Sequence, residues 1–356
     1  MKSKEKKKRF PRFKKWIIRL SLIFGSLLLT FVFIESYFRL FNRQQIMPRY
    51  VESAPYGIRK NIGNIRGFHT TREFSYRFNT NSQGFRGTKE YNLEKPQGIK
   101  RIIVLGDSVA LGHGVAYHET FSYLLEKKLN QNGYPAEVIN MAVSGFGTAE
   151  ELVQYQNLGR KYHPDIVILS YSENDPMNNA ISNLYEINDG QLLRKKTSYE
   201  PALSIRDNLN KIPFYGYLAQ HSHFVCFLRS RFSGLYLNKL GKKRRINVQQ
   251  TQPQYANSYQ MNPNYITLTA ALLNEFITVC NKDGVKLIIV DIPGKSFTSH
   301  FPYERIKKQK TTFIINLTPT YLSYKGTKHL FYIWDSHPNQ YGHELIASKL
   351  LDAIIE

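Results

Sequence analysis

The chain is poor in cysteine and in acidic residues. Its 356 residues include two cysteines, Cys226 and Cys280, so a disulfide is not implied and two buried free thiols are the expected state. It has no long Gly, Ser, Pro or Gln tract and no repeat with a period of 20–50 residues, which excludes a solenoid or a propeller. Apolar residues make up 42% of the chain, enough for a sizeable core. The sequence therefore predicts a globular protein of one large or two modest domains.

The shortage of acidic residues leaves a net charge of +22, from 49 basic against 27 acidic residues. Ten of the basic residues lie in residues 1–19, and the rest of the chain holds 39 basic against 26 acidic residues. A second basic cluster occupies 242–245. This excess raises the hypothesis of a nucleic-acid binder, but no DNA- or RNA-binding motif is present. A solvated or membrane-proximal surface is favoured, and no nucleic acid is expected as a partner.

An apolar segment follows the basic run. The charge-free stretch Leu20–Ile34 is shorter than the ~20 residues that a bilayer core requires, but the length from Trp16 to Phe41 suffices for one tilted span. No small-x-small cleavage site follows, so an uncleaved transmembrane signal anchor at 16–41 is favoured over a cleaved signal peptide. The positive charges before the span place residues 1–15, a basic tail, in the cytoplasm and the rest of the chain outside it.

The remainder divides into a short segment and a longer α/β domain. Residues 42–98 are expected to form a spacer and a short β element, whereas from residue 99 short β-branched runs alternate with amphipathic segments. This alternation predicts βαβ units and a mostly parallel five-stranded sheet with helices on both faces. An insertion at about 177–263 interrupts it, and its helical part, 212–240, is expected to pack against the sheet or to serve as a lid or an acyl-binding wall. The predicted strands are Ile102–Leu105, Val138–Met141, Ile166–Tyr171, Leu287–Ile292 and Leu330–Trp334. The predicted helices are Phe121–Leu129, one that begins with a capping box at Thr148–Glu151, Tyr265–Asn281 and Gln340–Ile355.

Polar residues follow the ends of four predicted strands, where the chemistry of a parallel sheet lies. Ser108 comes after the first strand, Gly145 after the second and Asn174 after the third. Asp335 and His337 follow the last strand with i, i+2 spacing, which points both side chains the same way in extended backbone. We expect His337 to deprotonate Ser108 while Asp335 orients the imidazole. The oxyanion is then held by the N–H groups of Ser108 and Gly145 and by the Asn174 amide.

On these residues the sequence resembles the SGNH, or GDSL-type, hydrolase superfamily. Its four blocks correspond to Gly106-Asp-Ser108, to Gly145 within Asn-x-Ala-x-x-Gly, to Asn174-Asp175 and to Asp335-x-His337, and the resemblance covers residues 101–356. It implies a flavodoxin-like three-layer α/β/α sandwich and ester hydrolysis or acyl transfer without a metal or an organic cofactor. Two positions depart from the family pattern. Ser172 replaces the usual glycine of the third block, and one residue rather than two separates the acid from the histidine of the fourth.

The leading hypothesis is a membrane-anchored serine esterase or acyltransferase whose catalytic domain, residues 99–356, lies outside the cytoplasm. Resemblance and location together suggest an acyl group, often acetyl, on a cell-envelope glycan or lipid. The alternative is a non-catalytic envelope-assembly or binding protein that retains the fold. Asp107 is expected to be a structural turn residue, and His113 either lines the pocket or has no role. His221 and His223 form a metal-type pair without further ligands nearby in the sequence, so no metal site is expected.

Overall fold

Short buried strands and amphipathic helices alternate along the chain in the computed structural model, which describes residues 10–201, 203–232, 261–297 and 299–355. The basic cluster 242–245 lies outside the described residues. The strands are β1 (Val51–Ser53), β2 (Arg59–Asn61), β3 (Arg66–Thr70), β4 (Ser75–Asn79), β5 (Lys100–Gly106), β6 (Ala136–Asn140), β7 (Ile166–Ser172), β8 (Tyr185–Asn188), β9 (Gln191–Arg194), β10 (Lys286–Ile292) and β11 (Thr312–Asn316). The helices are α1 (Phe10–Phe41), α2 (Ser108–Leu111), α3 (Phe121–Gln131), α4 (Thr148–Asn157), α5 (Asp175–Ser182), α6 (Leu203–Asn210), α7 (Tyr215–His221), α8 (223–232), α9 (Pro263–Lys282), α10 (Thr318–Leu322) and α11 (Gln340–Ile355).

The central sheet is parallel throughout and has the strand order β11-β10-β7-β5-β6. Counted along the chain, its five strands are arranged 2-1-3-4-5, which is the flavodoxin-like order. Strand β5 is an interior strand of the sheet, and its Ile103 is paired with Ile139 of β6 and Val167 of β7. The parallel five-stranded sheet that the sequence predicts is therefore confirmed.

Alternate residues of the strands face two different apolar layers. Ile103 is packed in one cluster with Leu152 of α4 and Phe276 of α9, whereas the neighbouring Ile102 is packed in the other with Leu125 of α3 and with α11. Each of these side chains is fully buried, and burial of one such side chain stabilises the fold by about 1.5–3 kcal/mol. Helices on both faces and a sheet between them complete the three-layer α/β/α sandwich.

The fifth strand is not the one that the sequence predicts. The strands β5, β6, β7 and β10 confirm four predictions, but the strand expected at Leu330–Trp334 is wrong, because β11 occupies that place in the sheet. Ile333 and Trp334 are 66% and 71% exposed, and Phe331 makes an isolated bridge to Pro338 instead of a ladder. An edge strand such as β11 leaves part of its apolar run exposed, so its pattern is less distinct than that of a central strand.

The segment 42–98, expected to form a spacer and a short β element, contains four short strands. It carries the antiparallel hairpins β1–β2 and β3–β4, and the side chains of Val51, Ile58 and Phe85 are buried in the same cluster as Ile103. The compact unit that contains the sheet begins at Met47 and so includes these hairpins. Strand β4 lies where the short β element is expected, whereas β1 and β2, with three residues each, are too short to show a reliable alternation of polar and apolar residues.

The helix predictions hold in position, with one change at a helix start. Helices α3, α9 and α11 lie where the sequence predicts them, but the start of α4 does not have the expected capping box. Gly147 is the N-cap, and its N–H donates to Glu150 Oε2 at 3.2 Å, in place of the expected pair Thr148 and Glu151. The Thr148 hydroxyl donates instead to the buried carboxyl of Asp175 at 3.1 Å.

The first described part of the chain and the helical part of the insertion form a compact unit of their own, which consists of residues 10–46 and 214–232. Phe38 of α1 contacts Phe227 of α8, with ring centroids 4.7 Å apart. The Glu35 carboxylate accepts the N–H groups of His223 and Phe224, both at 3.0 Å, and so caps the start of α8. Helix α8 of the insertion thus packs on α1.

Helix α1 is long and apolar. Its segment Phe13–Phe41 has the length and composition to cross a membrane, and its most apolar stretch is not buried within the protein. Helices of this kind are found both as membrane anchors and as signal sequences. Cys226 and Cys280 are free and buried, as the sequence predicts.

Arg86 joins the β3–β4 region to the segment that follows α2. Its side chain is 1% exposed and stacks on the Phe78 ring at 4.7 Å. Burial lowers the pKa of Arg86 to about 10, so the guanidinium remains charged at neutral pH. The guanidinium donates hydrogen bonds of 3.0–3.1 Å to three backbone carbonyls, those of Asn79, Leu111 and Val115.

We expect Arg86→Met to lower the free energy of unfolding by about 3–5 kcal/mol, because three buried carbonyls lose their donor. The measurement is urea unfolding of the detergent-solubilised chain followed by circular dichroism. Arg77→Met is the matched control, since Arg77 is exposed on the same hairpin and its loss should change stability by less than about 0.5 kcal/mol. Equal effects of the two substitutions would contradict this role of Arg86.

Candidate active site

The turn from β5 into α2 presents Ser108 at the carboxyl edge of the sheet. Gly106 closes the strand with φ +156°, and a Cβ at this position would lie 2.6 Å from the Ala110 side chain. Asp107 is 1% exposed, and its carboxylate accepts the N–H of Val109 at 2.8 Å as the N-cap of α2. The interpretation of Asp107 as a turn residue is consistent with this contact, and Ser108 remains partly exposed.

The structure brings Ser108, His337 and Asp335 together. Ser108 Oγ lies 2.7 Å from His337 Nε2, and His337 Nδ1 lies 2.5 Å from Asp335 Oδ1. The same carboxylate oxygen accepts the backbone N–H of His337 at 3.0 Å. A carboxylate at Nδ1 requires the proton on that nitrogen, so Nε2 is left to accept the hydroxyl of Ser108. This is the geometry of an activated nucleophile and its base.

The loop that carries Asp335 and His337 follows a turn rather than a strand end. Leu330 accepts the N–H of Asn339, and His337 accepts that of Tyr332, which closes the loop at its base. The Tyr332 hydroxyl donates to Gly114 O at 2.8 Å. The expectation that these residues extend from a fifth strand is wrong, and the pair is brought to Ser108 by side-chain and loop contacts instead.

A second histidine contacts the same carboxylate. His113 Nε2 lies 3.3 Å from Asp335 Oδ2, and the His113 ring is stacked 4.2 Å from the His337 ring. Burial lowers the pKa of His113, so that it donates as a neutral imidazole. For Asp335, burial alone raises the pKa, but the hydrogen bonds from His113 and His337 outweigh it and hold that pKa well below its usual range. Asp335 is therefore ionised at neutral pH. His113, expected either to line the pocket or to have no role, contacts both this carboxylate and the His337 ring.

The expected oxyanion donors lie in the loops beside Ser108. Strand β5 lies between β6 and β7 in the sheet, so Gly145, after β6, and Asn174, after β7, are on the same carboxyl edge. Gly145 is exposed with φ +76°, and its carbonyl accepts from Arg59 at 3.0 Å. Asn174 is exposed at the N-cap of α5. In the described part of the chain, no backbone acceptor takes the Gly145 N–H.

Two residues at the site were not singled out by the sequence. Arg59 belongs to β2, and its guanidinium lies 5.6 Å from the Phe146 ring as well as against Gly145. Glu73, between β3 and β4, accepts backbone N–H groups of the loop that carries Asp335. Both residues lie in the segment expected to be a spacer and a short β element, and only the charge of each single residue marks them in the sequence.

A set of histidine and carboxylate atoms has metal-type spacing, because one ligand atom each of His113, Asp335 and His337 lies within 4.8 Å of the others. These groups are hydrogen-bonded to one another at 2.5–3.3 Å, as expected for an acid–base set. The pair His221 and His223 is used differently. His221 Nδ1 contacts Tyr217 O at 2.8 Å, and His223 Nδ1 contacts the backbone of the segment after α1.

Buried carboxyl groups lie in the helices that start behind the site. Glu150, Glu151 and Asp175 are at most 1% exposed, and neither carboxyl oxygen of Glu151 has a hydrogen-bond partner among the described residues. Burial raises the pKa of Glu150 to about 7. Burial, together with the neighbouring carboxyl groups, holds the pKa values of Glu151 and Asp175 well above the usual range. All three carboxyl groups therefore bind a proton more readily than an exposed carboxyl group does. The hydroxyl of Ser172, which departs from the family glycine, donates to Asp107 at 3.1 Å.

The residues of this site lie within the part of the chain that matches a known protein family. The model of the family described as GDSL-like Lipase/Acylhydrolase matches residues 102–350, a range that holds the five expected site residues. A curated arylesterase of Vibrio mimicus is 30% identical over 79 residues, which are 22% of this chain and 40% of that relative, so the chain spans about two fifths of its length. The solved structure of TesA is 15% identical, with a TM-score of 0.39 over 72% of this chain and 96% of its own. The lipase/acylhydrolase from Enterococcus faecalis is 16% identical, with a TM-score of 0.38 over 72% and 95%.

We expect Glu150→Gln to change the pH dependence of stability. In the wild type, the folded state keeps a proton on Glu150 up to about pH 7, whereas the unfolded state releases it near pH 4.5, so the free energy of unfolding falls as pH rises between these values. A glutamine side chain keeps an oxygen that can accept the N–H of Gly147, but it has no carboxyl group that can ionise. Relative to wild type, the variant should gain up to about 3 kcal/mol between pH 5 and pH 8 in urea unfolding. Glu344→Gln, at an exposed position of α11, is the control, and parallel pH profiles of wild type and Glu150→Gln would contradict the prediction.

Proposed function

Because the chain belongs to the GDSL-like lipase/acylhydrolase family, we propose that it cleaves or transfers acyl esters, with Ser108 as the nucleophile. The observation that carries this proposal is the 2.7 Å contact of Ser108 Oγ with His337 Nε2, backed by the 2.5 Å contact of His337 with Asp335. A hydroxyl, an imidazole and a carboxylate in this order form the catalytic unit of serine hydrolases.

Acylation begins with the attack of Ser108 Oγ on the ester carbonyl carbon, while His337 Nε2 takes the hydroxyl proton. The imidazolium that forms is stabilised by the ionised Asp335 at Nδ1. His337 then gives the proton to the departing alcohol oxygen, and an acyl-Ser108 ester remains. Water or an acceptor alcohol, deprotonated by the same imidazole, attacks the acyl carbon and releases Ser108. Hydrolysis and transfer differ only in this second nucleophile.

The negative charge of the tetrahedral intermediate requires hydrogen-bond donors directed at the carbonyl oxygen. We assign this role to the N–H groups of Ser108 and Gly145 and to the Asn174 amide, in agreement with the sequence expectation. The first N–H of a helix has no partner within the helix, and Gly145 lies exposed at the edge of the site. Loss of one such donor lowers kcat by about 10²–10³-fold in serine hydrolases.

For the substrate we propose an acyl ester, with acetyl as the leading acyl group, on a cell-envelope glycan or lipid. The support is the net charge of +22, the N-terminal apolar helix and the position of Arg59 next to Gly145, which together suit an anionic polymer or lipid headgroup. Acids released from envelope fractions by wild type and by Ser108→Ala test the assignment. A longer acyl chain in place of acetate would contradict it.

For the location we propose a single-pass signal anchor formed by α1, with the N-terminus in the cytoplasm and the site outside it. Ten basic residues among the first 19 lie before and at the start of the apolar segment, which is the distribution that retains an N-terminus in the cytoplasm. Protease added to intact cells should remove a C-terminal tag and spare an N-terminal one. The opposite pattern would contradict the orientation.

We expect Ser108→Ala to abolish covalent labelling by a fluorophosphonate probe and hydrolysis of p-nitrophenyl acetate by the full-length chain in detergent. Asp335→Asn should lower kcat by about 10²–10⁴-fold, because the imidazole loses both its orientation and the charge that stabilises it. Labelling is read on a gel and hydrolysis by absorbance.

Ser144→Ala is the matched control, since Ser144 lies on the neighbouring loop of the same sheet edge, and its labelling should equal that of wild type. Retention of labelling by Ser108→Ala would contradict the assignment of the nucleophile. A wild-type protein that neither reacts with the probe nor hydrolyses any ester would favour the alternative, a non-catalytic envelope protein.

A further inference from the structure

The turn between β3 and β4 holds a carboxylate that binds the loop of Asp335. Glu73 accepts three consecutive backbone N–H groups: Ile333 N at 2.7 Å on Oε1, and Trp334 N at 2.8 Å and Asp335 N at 2.7 Å on Oε2. Hydrogen bonds to an ionised carboxylate are shorter and about twice as strong as neutral ones. Three of them on successive residues fix the direction of the backbone immediately before the Asp335 side chain.

The neighbours of Glu73 contact the same loop. The Arg72 guanidinium lies 5.1 Å from the Trp334 ring, and the Phe74 ring lies 4.8 Å from the Tyr332 ring. Phe74 also reaches His113, with ring centroids 5.6 Å apart. All three residues of the turn, 72–74, therefore contact this loop, and Phe74 also contacts His113, which is hydrogen-bonded to Asp335.

These contacts matter because residues 333–335 of the loop belong to no described strand and Ile333 and Trp334 are not packed in the apolar core. Both side chains are mostly exposed. At the base of the loop, Tyr332 N donates to His337 O at 3.2 Å. The Asp335 carboxylate lies 2.5 Å from His337 Nδ1, and a displacement of about 1 Å at a catalytic group is enough to lower a rate by about 10²-fold.

We propose that Glu73 is a positioning residue for the Asp335–His337 pair, and that it acts from a hairpin that lies outside the family match of residues 102–350. This inference rests on the proposed function, because it gives Glu73 a role only if His337 is the base of Ser108. The contacts that carry this proposal are those of Glu73 with the loop backbone, not with Ser108 or the His337 ring. Glu73 accepts the backbone N–H of Asp335, the Asp335 carboxylate accepts from the His337 imidazole, and that imidazole is hydrogen-bonded to the Ser108 hydroxyl.

The test is a double-mutant cycle on the full-length chain, with kcat and KM for p-nitrophenyl acetate as readouts. Glu73→Ala removes all three acceptor contacts and should lower kcat by about 10²-fold with KM within about twofold. Glu73→Gln keeps one acceptor oxygen of similar reach and should retain an intermediate kcat, about tenfold below wild type. In the Asp335→Asn background, Glu73→Ala should change kcat by less than about threefold, because the contact that it positions is already lost.

A structural role without positioning gives a different pattern. If Glu73 served stability alone, Glu73→Ala would lower kcat by the same factor in the wild-type and Asp335→Asn backgrounds, and such additivity would overturn the proposal. Glu90→Ala is the matched control, since Glu90 also accepts from a turn (Ser82 N at 2.9 Å) in the N-terminal segment, and it should leave kcat unchanged. Full activity of Glu73→Ala with an inactive Ser108→Ala overturns this inference alone. An active Ser108→Ala instead overturns the proposed function beneath it.

Discussion

The hydrogen bond between Ser108 Oγ and His337 Nε2 is the contact on which the site depends, and it joins residues 229 positions apart. The two residues that it joins are positioned by different parts of the structure. Ser108 follows β5, a central strand with neighbours on both sides, so its position is set by the sheet and by the Asp107 cap of α2. His337 belongs to a loop outside the sheet, and its position is set by polar contacts with Asp335, the stacked His113 and, beyond them, Glu73. Ser108 is thus positioned by the central sheet, whereas His337 is positioned by contacts of a loop outside the sheet.

The sequence predicts the core of the fold well, because buried parallel strands show clear apolar runs and the site residues follow them directly. Four strands, the long helices and the convergence of Ser108, Asp335 and His337 are found as expected. The strand expected at Leu330–Trp334 is wrong because an apolar run that is only partly buried in a loop has the same sequence pattern as a buried strand. The contacts of Glu73 and Arg59 were beyond prediction, since they join distant segments through backbone atoms that carry no sequence signal.

The layer behind the site is unusually polar for a protein core. Burial raises the pKa values of Glu150, Glu151 and Asp175 there, and Ser172 fills the family glycine position with a hydroxyl bonded to Asp107. The N-terminal hairpins add Arg59 beside Gly145 and Glu73 beside Asp335. Residues of a segment outside the family match of residues 102–350 therefore contact the loops of Gly145 and Asp335.

The structure of the protein after inactivation by diethyl p-nitrophenyl phosphate tests the central claim most directly, because the phosphorus centre resembles the tetrahedral intermediate. The account predicts a covalent bond from phosphorus to Ser108 Oγ, with the phosphoryl oxygen about 3 Å from the N–H groups of Ser108 and Gly145 and from the Asn174 amide. His337 should remain hydrogen-bonded to Asp335. A bond to another side chain, or a phosphoryl oxygen directed away from all three donors, would contradict the account.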